Sequence, residues 1–169
     1  MEHFKIIEYN RVELGKAAKE RGFVRDTFEK VLRLKEILRY FNEDKYLKEH
    51  LVLKGGTAIN MTIFNLPRLS VDIDMDFTPN YSKADTEVNR KEITERLQRY
   101  MQEEGYHLSE SSRYSHSLDS FLFQYQNTGG NRDNIKVEIN YSLRSHIFAP
   151  VERKIVTDAF DDSMEIRTL

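Results

Sequence analysis

Residues 68–77 read RLSVDIDMDF, a strict alternation that constrains the fold more than any other feature of the chain. Leu69, Val71, Ile73, Met75 and Phe77 alternate with Arg68, Ser70, Asp72, Asp74 and Asp76, so a period-two backbone sorts the stretch into one apolar and one polar face. The apolar face belongs to a core. The polar face sets three like charges in a row, on a residue type that strands accept poorly. Something must compensate that repulsion.

The 169 residues suffice for one domain of ordinary size with a real hydrophobic core. The formal charge of −2 advertises no global attraction to nucleic acid, so any such contact is local. Cysteine is absent, which removes disulfides, thiolate zinc sites and thiol nucleophiles. The first residues, MEHFKIIEYN, are charged and mixed, and no stretch approaches the ~18 apolar residues of a membrane span. The expectation is a soluble cytoplasmic protein with no membrane partner.

Apolar residues at helical spacing predict a helix from Val24 to Phe41, after a shorter one near Val12 to Glu20. HLVLKGG then reads as a short strand stopped by paired glycines, and TAINMTIFN as a helix started by Thr57 and broken before Leu66 and Pro67. A second amphipathic helix is predicted from about Ala84 to Glu104, with Val88, Ile93, Leu97, Tyr100 and Met101 inward and Gly105 as its stop. YHLSE, DSFLFQYQ and NIKVEINYSL read as successive strands, with NTGGNRDN as a hairpin and SMEIRTL as a possible last strand. That order predicts an α+β domain with a mixed sheet.

Residues i and i+2 on a strand lie about 6.5–7 Å apart and point the same way, so Asp72 and Asp74 can converge on a metal above the sheet. Asp76 is too far from Asp72 to share the ion, and is read as a solvated or supporting carboxylate. In NIKVEINY, Lys136, Glu138 and Asn140 share one face, and Glu138 is the candidate third ligand if its strand neighbours the acidic one. Such a cluster would hold Mg²⁺ or Mn²⁺ for phosphoryl or nucleotidyl transfer. Acidic residues on the wet face of an edge strand, as a guard against aggregation, are the alternative. The turn Gly55, Gly56, Thr57 argues for the metal reading, because paired glycines before a helix let backbone N–H groups approach phosphate.

LKGGTAIN, LPRLSVDIDMDF and IKVEINYSLR together resemble the nucleotidyltransferase-like toxins of type IV abortive-infection systems, the AbiEii toxins and their MenT-type relatives, within the polymerase β nucleotidyltransferase superfamily. The resemblance implies a nucleotidyltransferase-like mixed sheet flanked by helices. It also implies metal-dependent transfer from an NTP to an acceptor hydroxyl, best guessed as a tRNA 3′ end, and a separately encoded antitoxin. On that resemblance Gly55, Gly56 and Thr57 would hold triphosphate, Asp72, Asp74 and Glu138 would be catalytic and hold the metal, and Ser70 and Lys136 would line the nucleotide site. The expected organisation is an N-terminal helical segment, 1–45, packed on a core of 46–169. The family's usual C-terminal helical half is expected to be absent, which sets a truncated, non-catalytic nucleotide- or partner-binding module as the alternative function.

Arg68 shares the acidic face and could contact phosphate or pair with an aspartate. Lys136 is expected on phosphate, with a surface ion pair to Glu138 as the alternative. Lys54 is expected to face solvent. The five histidines have no ligand spacing, so zinc is not expected. Arg90, Lys91, Arg96 and Arg99 fall on a charged helix expected to face water.

Overall fold

A computed structural model describes residues 10–56, 72–142, 149–154 and 165–169. The predicted helix from Thr57, its break at Leu66 and Pro67, and the candidate residues Thr57, Arg68 and Ser70 lie outside them. Four helices are described: α1 (Arg11–Glu20), α2 (Arg25–Glu43), α3 (Lys45–His50) and α4 (Lys83–Glu103). The strands are β1 (Leu51–Lys54), β2 (Asp72–Phe77), β3 (His107–Leu108), β4 (Arg113–Tyr114), β5 (Leu118–Gln126), β6 (Arg132–Asn140), β7 (Val151–Lys154) and β8 (Glu165–Thr168).

The eight strands form one mixed sheet in the order β3-β5-β6-β2-β1-β8-β7, with β4 paired to β5. The acidic strand β2 lies between β1, antiparallel, and β6, parallel. Its apolar side chains Ile73, Met75 and Phe77 join Leu51 and Leu53 of β1, Val137 and Ile139 of β6, and Phe121 and Phe123 of β5 in one core. Helices α2 and α4 cover that face through Phe28, Leu34, Leu38 and Phe41, and through Ile93, Leu97 and Met101. Period-two burial along β5 and β6 follows directly from sequence alternation.

The helix ends obey local chemistry. Asn10 caps α1 by accepting from the amides of Val12 and Glu13 at 2.9 and 3.2 Å. At the end of α4, Gly105 takes a φ of +84° and its amide donates to Gln102, while the Tyr106 amide donates to Met101. A left-handed residue at that point satisfies carbonyls that the helix leaves open. The β5–β6 turn is fastened to α2 by the buried Glu29, which accepts from both the amide and the hydroxyl of Thr128.

Several expectations need correction. Val88, predicted inward, is exposed: Ile93, Leu97 and Met101 fill the buried stripe of α4 without it. The arginines of α4 are not simply solvated. Arg90 forks onto the buried carboxylate of Asp119 and donates to the carbonyls of Ser115 and His116. Arg96 bridges Asp44 and Glu92 and stacks over the Tyr46 ring. Among the described residues, no helix is long and apolar enough to cross a membrane.

Candidate functional site

The polar face of β2 is where the candidate residues meet. In the register, Lys54 of β1 stands opposite Asp74, and Asp72, Asp74 and Asp76 stand opposite Lys136, Glu138 and Asn140 of β6. Asp74 and Glu138 therefore face each other across adjacent strands, close enough for each carboxyl group to act on the other. Asp72 stands one pleat along on the same face, near enough for its charge to act on Asp74.

The electrostatics of the pair are unequal. Burial raises the pKa of Asp74, and the negative charges of Glu138 and Asp72 raise it further. Burial acts the same way on Glu138, but hydrogen bonds from Lys136 and Ser120, with the charge of Lys136 and the hydrogen bond to Asp74, outweigh it and hold its pKa below the usual range. Asp74 is thus the weaker acid of the two and Glu138 the stronger.

Lys136 Nζ lies 2.8 Å from Glu138 Oε1, and the contact raises the lysine's pKa. The ion pair weighed as an alternative is therefore made, with the lysine still partly open to solvent. Ser120 of β5 donates to the same oxygen at 3.1 Å. Sequence reasoning passed over Ser120, although counting back along the hairpin from Gln126 and Arg132 brings it opposite Glu138.

Asp76 is buried rather than solvated, at 1 % exposure, and its Oδ1 meets Lys54 Nζ at 2.5 Å. Lys54, expected to face solvent, is drawn across the acidic row and is only partly exposed. Of the two readings of Asp76 the supporting one is thus the fit, because position on the polar face does not by itself give water access.

Gly55 follows Lys54 with a φ of +78°, and a Cβ placed there would lie 2.7 Å from Asp74 Oδ2. Two independent demands therefore select glycine: a left-handed backbone and the approach of a carboxylate. Gly56 beside it is exposed. The glycine turn and the facing carboxylates form one continuous site.

Oxygen donors of this kind suit hard divalent cations. Among the described residues, no three acidic or histidine side chains are gathered closely enough to hold a metal. Asp74 and Glu138 stand opposite each other, with Asp72 one pleat along on the same face. The donor chemistry fits, since two facing carboxylates offer oxygen donors to one hard cation, whose charge would relieve their repulsion.

The nucleotidyl transferase AbiEii toxin family of type IV toxin–antitoxin systems matches residues 36–169. No curated protein gives a significant match. The fold is similar to that of JHP933 from Helicobacter pylori, at 15 % identity and a TM-score of 0.53, over 86 % of this chain and 52 % of that one. It is also similar to a structure described as a "putative nucleotidyltransferase from H. pylori", at 16 % identity and a TM-score of 0.54, over 86 % and 54 %. The chain spans about half the length of these two proteins.

Proposed function

This chain belongs to the nucleotidyl transferase AbiEii toxin family of type IV toxin–antitoxin systems, and from that premise we propose that it transfers a nucleotide from an NTP to an acceptor hydroxyl in a divalent-metal-dependent reaction. The observation that carries this reading is that Asp74 and Glu138 stand opposite each other on β2 and β6, directly beside the Gly55 turn. An edge strand acidic only to discourage aggregation would not meet a second carboxylate on a central neighbour: β2 lies inside the sheet, between β1 and β6.

Asp72, Asp74 and Glu138 would hold Mg²⁺ or Mn²⁺, which when bound stabilises charge on the attacking and leaving oxygens. The backbone of Gly55, Gly56 and Thr57 would hold the triphosphate, with Ser70 and Arg68 lining the nucleotide. Lys136 belongs to the same set: its ammonium can move from Glu138 to phosphate, because a partly exposed lysine head is easily re-partnered. Ser120 keeps one hydrogen bond on Glu138 Oε1 when that exchange occurs.

The acceptor that the family resemblance favours is a tRNA 3′ end, the setting is cytoplasmic, and the further partner is a separately encoded antitoxin. The test is to incubate the protein with each labelled NTP, Mg²⁺ and total tRNA, and to follow label onto RNA or onto the protein itself. Label on RNA that chelator abolishes supports the reading. Nucleotide binding without transfer, across every NTP and several acceptors, would leave a non-catalytic binding module in its place.

A further inference from the structure

We propose that Lys54 is a positioning residue: its ion pair with the buried Asp76 fixes the end of β1, and through it sets where the Gly55 turn holds triphosphate relative to the Asp74 and Glu138 carboxyl groups. The inference deepens the nucleotidyl-transfer reading and rests on it.

The register supplies the first step. Val52 stands directly opposite Asp76, and Lys54 directly opposite Asp74. The Lys54 side chain therefore does not join its direct neighbour but crosses diagonally to the next aspartate, a reach open to a long side chain on a sheet surface. The Lys54–Asp74 pair is also the last rung of the β1–β2 ladder. Beyond it the chain turns at Gly55, so the ion pair, a close charge contact that is not an aligned hydrogen bond, is a fastener near the point where backbone pairing stops.

The second step is the cost of the arrangement. Withdrawing a carboxylate to 1 % exposure is expensive, and a pair of apolar residues would hold two strands together at least as well. A charged pair is more selective: a buried carboxylate needs its cation beside it, so the strand end is held where Lys54 reaches Asp76, whereas an apolar contact tolerates several positions. The strand end matters here because the Gly55 Cα lies against the Asp74 carboxylate, with no room for even a methyl group between them. A shift of about 1 Å in the turn would move bound triphosphate by the same amount relative to the carboxylates, and misplacement on that scale is costly to transfer.

Three variants separate positioning from stability: Lys54→Met, Lys54→Arg, and Lys54→Met combined with Asp76→Asn. Lys54→Met alone strands a buried charge and loses stability, whereas the double variant removes both charges, so the local net charge equals that of the intact pair and the fold is retained. Thermal melts identify the temperature at which each variant is folded. At that temperature Mg²⁺ alone is titrated, then ATP, GTP, CTP and UTP in turn with Mg²⁺, and transfer kinetics follow with the NTP that the wild type binds best. The double variant should bind Mg²⁺ alone within twofold of wild type, bind that NTP at least tenfold more weakly, and show a matching rise in KM. Lys54→Arg, which keeps charge and reach, should recover most of the affinity. Nucleotide affinity within twofold of wild type in the double variant would make the pair merely structural and overturn the proposal. A tenfold loss of Mg²⁺ affinity would also overturn it, by placing the effect on the carboxylates instead of the turn. A wild-type protein that binds no NTP sinks the underlying nucleotide-site reading, a failure visible before any variant is made.

Discussion

Burial and the charges of Glu138 and Asp72 all work against ionisation of Asp74, so the folded chain holds a proton there that the unfolded chain releases at the usual carboxylate pKa of about 4. A raised pKa contributes stability that is present below that value and is lost as pH rises through the folded one. Asp74→Asn keeps a donor for Glu138 and removes the ionisation. The variant should be more stable than wild type at neutral pH by about 0.5–1 kcal/mol, the scale of one directly opposed like-charge pair. That corresponds to roughly 1–4 °C in Tm, and the gap should close as pH falls toward 4. Added Mg²⁺ should raise the Tm of wild type and leave the variant unmoved, because a ligand stabilises only what binds it. Unfolding of Asp74→Asn would mean that Asp74 has a structural role beyond the site. The alternation in RLSVDIDMDF exposed these aspartates to sequence reasoning, and strand spacing set Asp76 apart from the metal pair, but its burial was hidden. Asp74 faces Glu138, while Asp76 is buried on Lys54, because burial depends on what lies over the sheet and not on the strand's own period.

Elements are held to one another here by charged pairs that single-chain periodicity does not reveal. Arg90 of α4 reaches Asp119 of β5, a carboxylate at 3 % exposure, and also satisfies two carbonyls of the preceding loop. Arg90→Met should cost about 3–5 kcal/mol, the penalty for leaving a buried charge unpaired, read as a lowered urea midpoint with an unchanged slope. A second staple joins α2 to β6, where Lys30 Nζ lies 2.9 Å from Asp133 Oδ1. Burial opposes ionisation of Asp133, yet hydrogen bonds from Lys30, the Asn134 amide and Tyr125, with the charge of Lys30, outweigh it and hold its pKa below the ordinary carboxylate value. A lowered pKa contributes stability that is present above about pH 4 and is lost as pH falls through the folded value. The difference in urea midpoint between wild type and Lys30→Met should therefore shrink steadily from pH 5 to pH 2. Helices α1, α2 and α4 and strands β5 and β6 were legible from their apolar periods, and the four-residue β1 from a short apolar run stopped by paired glycines. The six-residue α3 and the strand β7, with its four exposed residues Val151 to Lys154, carry no such period and were not. Strand neighbours were legible where chemistry demanded them: the β5–β6 hairpin follows from its glycine turn, and Glu138 as third ligand requires its strand beside the acidic one, whereas the parallel sense of that pairing, across some sixty residues, is set by the shared core.

At the scale of the molecule, α2 belongs to the same core as the sheet. Phe28, Val31, Leu34, Ile37, Leu38 and Phe41 are each at most 3 % exposed, in one cluster with Leu53, Ile73, Val137 and Ile166. A helical segment over residues 1–45 is thus a division of the chain and not of the hydrophobic interior. Burying a large aliphatic or aromatic side chain stabilises by about 1.5–3 kcal/mol, so these six alone contribute on the order of 10 kcal/mol. That is as large as the whole net stability of a typical domain, about 5–15 kcal/mol. A chain of residues 46–169 should therefore not form the carboxylate site at all: its far-UV circular dichroism should show no cooperative melt, and its amide NMR signals should collapse into a narrow band. The acidic strand would lose its site with the helix, because the alternation that turns Asp72, Asp74 and Asp76 to one side depends on Ile73, Met75 and Phe77 having a core on the other. A cooperative melt from residues 46–169, with dispersed amide signals, would show instead that α3, α4 and the sheet carry their own core and that α2 is an addition to it.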